Sequence, residues 1–342
     1  MRILVYKDNL STGRGADRAV ENFAAGLAER GHEVSLMEKS QFAKWLADGD
    51  GAEAFDIVVA TGSNEIVDLN SAGFFERPER AKVVLQLHLA PRGFFKWKHP
   101  IRNWRIRRAF RRADAVQVLC RSYEEEFKRI APLAHVVTIG NYTEMDAGGV
   151  RSDCANPVVL YPAAAFTRVK NQSFLICAFA AVACEFPQWR LRLLGRNDTS
   201  QGDRCRSLAR RLGVADRVDF VGFAGNLAAE YAGAAFLAFP STLEGFPLAL
   251  LEGAKFGLCP LVHSALPGVY DIVRDGETGI VTKPAVNAYA DGLRRLMADA
   301  ELRRRMGEAA QKFCAATYSR ERILDQWETM LRAASASMMA SS

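Results

Sequence analysis

Two kinds of hydrophobic spacing alternate along this chain. Short, nearly unbroken apolar runs at residues 3–6, 34–37, 57–60, 83–87 and 115–119 are separated by longer stretches in which apolar residues recur every three or four positions. The first pattern predicts strands buried on both faces and the second amphipathic helices, and their alternation predicts a parallel sheet joined by helical crossovers. The first helix is well marked: Ala16, Val20, Phe23, Ala24 and Leu27 share one face, and Gly31 follows as a C-terminal cap. After a Gly- and Asp-containing stretch at 146–156 the pattern restarts, with strand candidates at 158–161, 190–194, 217–221, 235–239 and 259–262. The reading is therefore α/β, with two Rossmann-like doubly wound domains facing each other across a cleft. The first spans 1–154 and the second 155–319. A closing amphipathic helix at 320–333, with Ile323, Leu324, Trp327 and Met330 on one side, is expected to pack back on the first domain, and 334–342 to form a disordered tail.

Length and composition support this picture and exclude others. The 342 residues are enough for two cores, and 49% hydrophobic with 25% charged residues is ordinary for a folded domain, not for a disordered or fibrous chain. The longest apolar run, 174–186, is shorter than the roughly 18 residues that cross a bilayer and contains Glu185. The N-terminal run ends at Lys7 and Asp8, so it reads as a first strand and not as a signal peptide, and a cytoplasmic location is expected. Seven cysteines form no C-x-x-C pair and the five histidines lack ligand spacing, so neither a structural metal nor a disulfide framework is predicted.

Charge changes the picture more. The formal net charge is +6, yet nine basic residues and no acidic one lie between Arg92 and Arg112, and without them the balance turns negative. Drawn on a helix, residues 100–113 place Ile106, Ala109, Phe110 and Ala113 on a core side. Ile101 and Trp104 then fall among Arg105, Arg107, Arg108, Arg111 and Arg112, with Arg102 nearby and Phe94, Phe95 and Trp97 just ahead. A cationic face with apolar anchors suits an anionic membrane surface or an anionic acceptor; a plain solvated helix is the other reading. No nucleic-acid-binding module accompanies the charge.

The strand at 235–239 runs into Pro-Ser-Thr-Leu-Glu-Gly-Phe-Pro-Leu-Ala-Leu-Leu-Glu-Gly-Ala-Lys-Phe-Gly, residues 240–257. This is a strand, a loop and a helix start. Pro247 suits a first helical position, and the free amides of the turn near Gly245 and Leu248 are expected to face an anion such as a diphosphate. Glu244 lies in the loop and Glu252 in an apolar helix, where a carboxylate needs a hydrogen-bonding partner; the vicinal hydroxyls of a ribose are such a partner. Eight residues apart, the two are assigned to different parts of one extended ligand.

These residues resemble the E-x7-E signature of the retaining GT-B glycosyltransferases, the family 4 or group 1 type that includes lipopolysaccharide, capsule and phosphatidylinositol mannosyltransferases. Gly13-Arg14-Gly15 followed by Ala16-Asp17-Arg18 is similar to that family's first Gly-rich turn, and Arg168-Val169-Lys170-Asn171 to its phosphate-binding segment. Gly222-Phe223 resembles the stretch that meets the nucleobase. The resemblance implies donor-binding roles for Gly15, Arg168, Lys170, Phe223, Glu244, Gly245, Phe246, Leu248 and Glu252. It also implies catalytic roles for Glu244 and for His88, in the loop after the strand at 83–87. The family's usual Arg five residues before the Lys is Ala165 here, so either Arg168 or Arg196 supplies that charge. The activity implied is transfer of a sugar from a nucleotide-sugar, with a lean to UDP, onto a lipid-linked or lipopolysaccharide-type acceptor. Configuration would be retained by a front-face route, without an obligatory metal or other cofactor, at the inner face of the cytoplasmic membrane. A nucleotide-sugar 2-epimerase, or a non-catalytic nucleotide-binding protein held at the membrane, are the alternatives.

Overall fold

A computed structural model describes residues 1–10, 15–47, 55–77, 79–95, 99–132 and 135–336. They fall into two compact units, residues 1–142 together with 320 onward, and residues 143–319.

The first unit runs β1 (Arg2–Tyr6), α1 (Gly15–Glu29), β2 (Glu33–Met37), α2 (Lys39–Ala47), β3 (Ile57–Ala60), α3 (Ser63–Ser71), β4 (Lys82–Gln86), α4 (Pro100–Phe110), β5 (Ala115–Val118), α5 (Arg121–Ile130) and β6 (Val136–Thr138). Its strands form one parallel sheet in the order β2-β1-β3-β4-β5-β6, with Ile3 of β1 paired to Ile57 of β3. The sheet steps first one way and then the other from β1, so the β1–β3 seam is its topological switch point. The interior strands are apolar because helices cover both faces: Ile3, Leu4, Val5 and Tyr6 are fully buried, as is all of β3. Helix α1 buries Ala19, Val20, Phe23, Ala24 and Leu27, and Gly31 caps it in the left-handed region at φ 85°.

The second unit runs β7 (Val158–Ala165), α6 (Gln172–Val182), β8 (Arg190–Arg196), α7 (Ser200–Arg211), β9 (Val218–Gly222), α8 (Leu227–Ala232), β10 (Phe236–Phe239), α9 (Leu248–Lys255), β11 (Cys259–His263), α10 (Val269–Ile272), β12 (Ile280–Thr282), α11 (Val286–Ala298) and α12 (Ala300–Thr317). Its parallel sheet has the order β12-β11-β10-β7-β8-β9, with the reversal between β7 and β10. The residues leading into β7, from 143, are part of this unit.

The final helix, α13 (Arg320–Ala336), belongs to the first unit. It lays Trp327 against Phe23 of α1 at a ring distance of 4.4 Å and pairs Asp325 with Arg30. The helix continues through Ala336, so residues 334–336 are helical and not tail, because Ala334 still finds a buried position; residues 337–342 lie outside the described residues. Two strands were not anticipated, β6 and β12. Each has only three residues at an outer edge of its sheet, all half-buried except the buried Ile280, too few to produce a distinct apolar run. Among the described residues no helix is long and apolar enough to cross a membrane.

Candidate functional site

In the second unit the chain leaves the sheet in opposite senses after β7 and after β10, and such a divergence opens a crevice at the carboxyl ends of the strands. Two loops line it, residues 166–171 and 240–247. They are tied together before any side chain meets a ligand. The Thr242 amide donates to the Val169 carbonyl at 2.8 Å, the Asn171 side-chain amide donates to the Pro240 carbonyl at 3.3 Å, and His263 bonds the same carbonyl at 2.8 Å. Asn171 itself sits at φ 59° and turns the first loop into α6. Beneath them the Tyr161 hydroxyl lies 2.8 Å from both the Lys170 carbonyl and the Ser241 hydroxyl. Burial, reinforced by the nearby Glu244 charge, pushes the Tyr161 phenol well up, so it remains a protonated donor.

This scaffold sets Lys170 against Glu244. The ammonium reaches both carboxylate oxygens, at 2.6 and 2.8 Å, although the residues are 74 positions apart. Both side chains are largely shielded, which strengthens the pair relative to one in open water. Arg168 is exposed and joins no ion pair among the described residues. Ala165 is paired in register with Arg196, which is exposed and reaches Asp198 at 3.9 Å.

Glu252 is 4% exposed on α9 and accepts a hydrogen bond of 2.7 Å from the Tyr231 hydroxyl. Beside it Gly253 lets α9 rest closely on β10: a methyl group there would stand 2.2 Å from a Leu237 methyl, which would have to move. The start of α9 differs from the sequence expectation. Pro247, at φ −79° and ψ 79°, is the residue before the helix, and it forms an inverse γ-turn in which the Leu248 amide donates to the Phe246 carbonyl at 2.9 Å. That amide is therefore spent internally and does not face an anion. Gly245 is buried, and Phe246 packs on Tyr318 with ring centres 5.3 Å apart, a wall of the loop and not an open contact. Phe223 is 75% exposed just after Gly222, whose φ of 80° turns the chain, leaving an aromatic face free.

The remaining predicted residues belong to the first unit. Gly15 opens α1, while residues 13 and 14 of its motif lie outside the described residues. His88 follows β4 with both ring nitrogens shielded and without a hydrogen-bond partner among the described residues. Burial and the Lys7 charge push its pKa down to about 3, so the ring is neutral at physiological pH. Lys7 pairs with Glu65 at 3.8 Å, and Glu65 also accepts from the Asp8 amide at 3.0 Å. Sequence reasoning missed Lys7, Glu65, Tyr161, Ser241 and His263. Lys7, Ser241 and His263 share a signal of position, in the final residue of a buried strand or just beyond it, whereas Tyr161 lies within β7 and Glu65 in the first turn of α3.

Helix α4 buries Ile106, Ala109 and Phe110 and exposes Ile101 and Trp104, as its periodicity implies. Arg107 lies over Phe95 and Arg108 over Trp104, at 5.2 and 5.7 Å from the ring centres. Arg112 pairs with Glu76, and Arg111 donates to the Ile130 carbonyl at 3.4 Å. Trp97 lies outside the described residues.

Residues 152–313 match the family model described as glycosyl transferases group 1. An exopolysaccharide phosphotransferase of Streptomyces coelicolor is 34% identical over 163 residues, covering 47% of this chain and 17% of that protein. An N-acetyl-alpha-D-glucosaminyl L-malate synthase of Bacillus anthracis is 27% identical over 263 residues, covering 74% of this chain and 68% of that one. The chain thus spans only a small part of the first relative. Among solved structures, the Anabaena protein HepE in complex with UDP superposes with a TM-score of 0.79 at 20% identity, covering 97% of this chain and 100% of that one. The second parallel sheet and the E-x7-E helix built on it thus lie within the segment, residues 152–313, that is similar to the group 1 glycosyltransferases.

Proposed function

We propose that this chain transfers a sugar from a UDP-linked donor to a lipid-linked or cell-surface glycan acceptor, with retention of anomeric configuration. The observation that carries the reading is the Lys170–Glu244 pair held at the switch point of the second sheet, with Glu252 further along the same segment, inside α9. In this reading Lys170 and Arg168 take the charge that develops on the departing diphosphate, Glu244 holds the transferred sugar, Glu252 holds the ribose hydroxyls and Phe223 covers the base. As the bond from C1 to the diphosphate oxygen breaks, the acceptor oxygen bonds C1 from the same face and its proton passes to the leaving phosphate oxygen. His88, uncharged, offers a ring nitrogen to a sugar hydroxyl. No protein nucleophile and no metal is required. A neighbour of the same fold in complex with UDP supports the donor, and a relative named as an exopolysaccharide phosphotransferase supports the acceptor class.

The outward stripe of α4, Ile101 and Trp104 with Arg108 and Arg111, fits an anionic bilayer, which supports a reaction at a membrane surface.

The test is turnover of a panel of UDP- and GDP-sugars, with Lys170→Ala compared against wild type. Loss of about 10²- to 10³-fold in kcat/KM, with activity of the wild type surviving EDTA, is the expected result. Full activity in Lys170→Ala overturns the site. A rearranged donor sugar formed without acceptor identifies an epimerase instead.

A further inference from the structure

A second polar groove lies wholly within the first unit. It has a volume of about 400 Å³ and runs along α3 against α4, lined by Lys39, Ser63, Asp68, Ile101, Arg102 and Arg105 among others. Its placement follows from the topology. Lys39 opens α2 just after β2, Ser63 opens α3 just after β3, and Ile101 and Arg102 stand in the first turn of α4, so the groove opens at the carboxyl edge of the sheet. In open parallel sheets that edge is where ligands bind.

Its charges are unevenly matched. The one carboxylate named in the lining, Asp68, already accepts from the Tyr6 hydroxyl at 2.8 Å and from Lys39 at 3.1 Å. The two guanidinium groups meet neutral oxygens: Arg102 donates to the Phe94 carbonyl at 2.6 Å and Arg105 to the Ser71 hydroxyl at 3.0 Å. Neither forms an ion pair among the described residues, and a guanidinium has five N–H groups, so each keeps donors in hand. Three residues apart on one helix, the two groups project to the same side. The groove therefore carries an excess of positive charge in the planar, forked form that matches an oxyanion with two or three acceptor oxygens. Ile101, 76% exposed beside it, offers an apolar neighbour to whatever carries that anion.

We propose that the α3–α4 groove binds the phosphate group of a phosphorylated acceptor, an assignment that rests on the glycosyl-transfer reading for the word acceptor but not for the site. The phosphate oxygens accept from Arg102 and Arg105, with the Ser63 hydroxyl and the start of α3 at one end and Lys39 across the groove. The same chemistry serves a soluble phosphomonoester and a lipid headgroup.

The experiment titrates the full chain with glycerol 3-phosphate and, separately, with phosphatidylcholine vesicles with and without phosphatidic acid. Wild type is compared with Arg102→Gln/Arg105→Gln and with Arg105→Lys, and UDP binding and thermal unfolding are followed in parallel. The double variant loses about tenfold or more in affinity for the phosphate probes, keeps its UDP affinity and melting temperature, and Arg105→Lys recovers part of the loss. A preference for phosphatidic acid vesicles over glycerol 3-phosphate assigns the anion to a lipid, and equal or weaker vesicle binding to a soluble phosphoester. A wild type that ignores both probes, or a double variant that binds them as well as wild type, overturns the groove. Failure of UDP binding or turnover in the wild type overturns the transferase reading alone, because the phosphate arm is scored without a donor.

Discussion

The carboxyl edges of the two sheets are built to the same plan and provisioned differently. In the second unit most of the polar groups at the switch point meet another, Lys170 with Glu244, Tyr161 with Ser241, His263 Nε2 with the Pro240 carbonyl and Glu252 with Tyr231, and only single atoms, His263 Nδ1 and Gln172 Oε1, are buried without a partner among the described residues. In the first unit His88 holds two shielded ring nitrogens without a partner among the described residues, and Arg102 and Arg105 spend themselves on neutral oxygens. Fully matched groups keep their geometry without a ligand, which is what electrostatic preorganisation requires of a site that handles one unvarying diphosphate. Unmatched groups cost stability while they wait and repay it when a ligand supplies the missing half. The two edges should therefore answer substitution with opposite signs.

The largest effect is expected on the matched side. Glu252→Ala takes the acceptor from the Tyr231 hydroxyl, leaves a gap where α9 rests on β10, and should lower stability by about 2 to 4 kcal/mol. Urea unfolding measures this, and Glu252→Gln, which keeps the volume and an acceptor oxygen, should recover most of it while donor turnover stays low. An Ala variant as stable as wild type would mean that Glu252 is held for its ligand only and that the second edge is not self-sufficient.

On the unmatched side the sign should reverse. His88→Leu removes two unsatisfied nitrogens and is expected to leave stability unchanged or raise it by about 1 kcal/mol, while transfer is lost. The pH dependence sharpens this. The unfolded chain takes up a proton at His88 near pH 6.5, whereas the folded chain resists until about pH 3. The folded state therefore loses stability as pH falls through that window and gains nothing above it. In His88→Leu this part of the slope should vanish. If the variant instead unfolds more easily at pH 7, the imidazole is a structural group and the contrast between the edges fails.

How much of this the sequence disclosed follows the same division between local and distant. The central strands announced themselves because a strand covered on both faces must be apolar throughout, as 57–60 and 236–239 are; β6 and β12, three residues each at an outer edge, are too short to leave such a run. The E-x7-E segment named Glu244 and Glu252 from spacing alone. Spacing could not show that Lys170 is Glu244's partner, since only the fold closes 74 residues to 2.6 Å. Nor could it show that Pro247 precedes α9 in a γ-turn and consumes the Leu248 amide, because proline suits the first helical position equally well. The groove along α3 was invisible for a related reason: Arg102 and Arg105 were legible as charge, but which of a helix's arginines meet a carboxylate depends on neighbours the sequence does not order.

The smallest stability effect belongs to the outward stripe of α4, and it separates a surface kept charged for solubility from one kept charged for a partner. Arg108 lies over Trp104 and Arg111 donates a long hydrogen bond to the Ile130 carbonyl, both exposed contacts, so Arg108→Gln/Arg111→Gln should change unfolding by no more than about 0.5 kcal/mol. Each lost cation should nonetheless weaken attraction to an anionic bilayer by roughly 1 kcal/mol, about thirtyfold for the pair if the two contributions add. Co-sedimentation with phosphatidylglycerol vesicles at two salt concentrations reads this directly, because an electrostatic contribution shrinks as the Debye length falls. Trp104→Ala, which removes the apolar anchor and no charge, should weaken binding in a way that salt does not alter. If both variants bind as wild type does, α4 is a solvated helix, and the arginines that matter on the first unit are those turned into the groove.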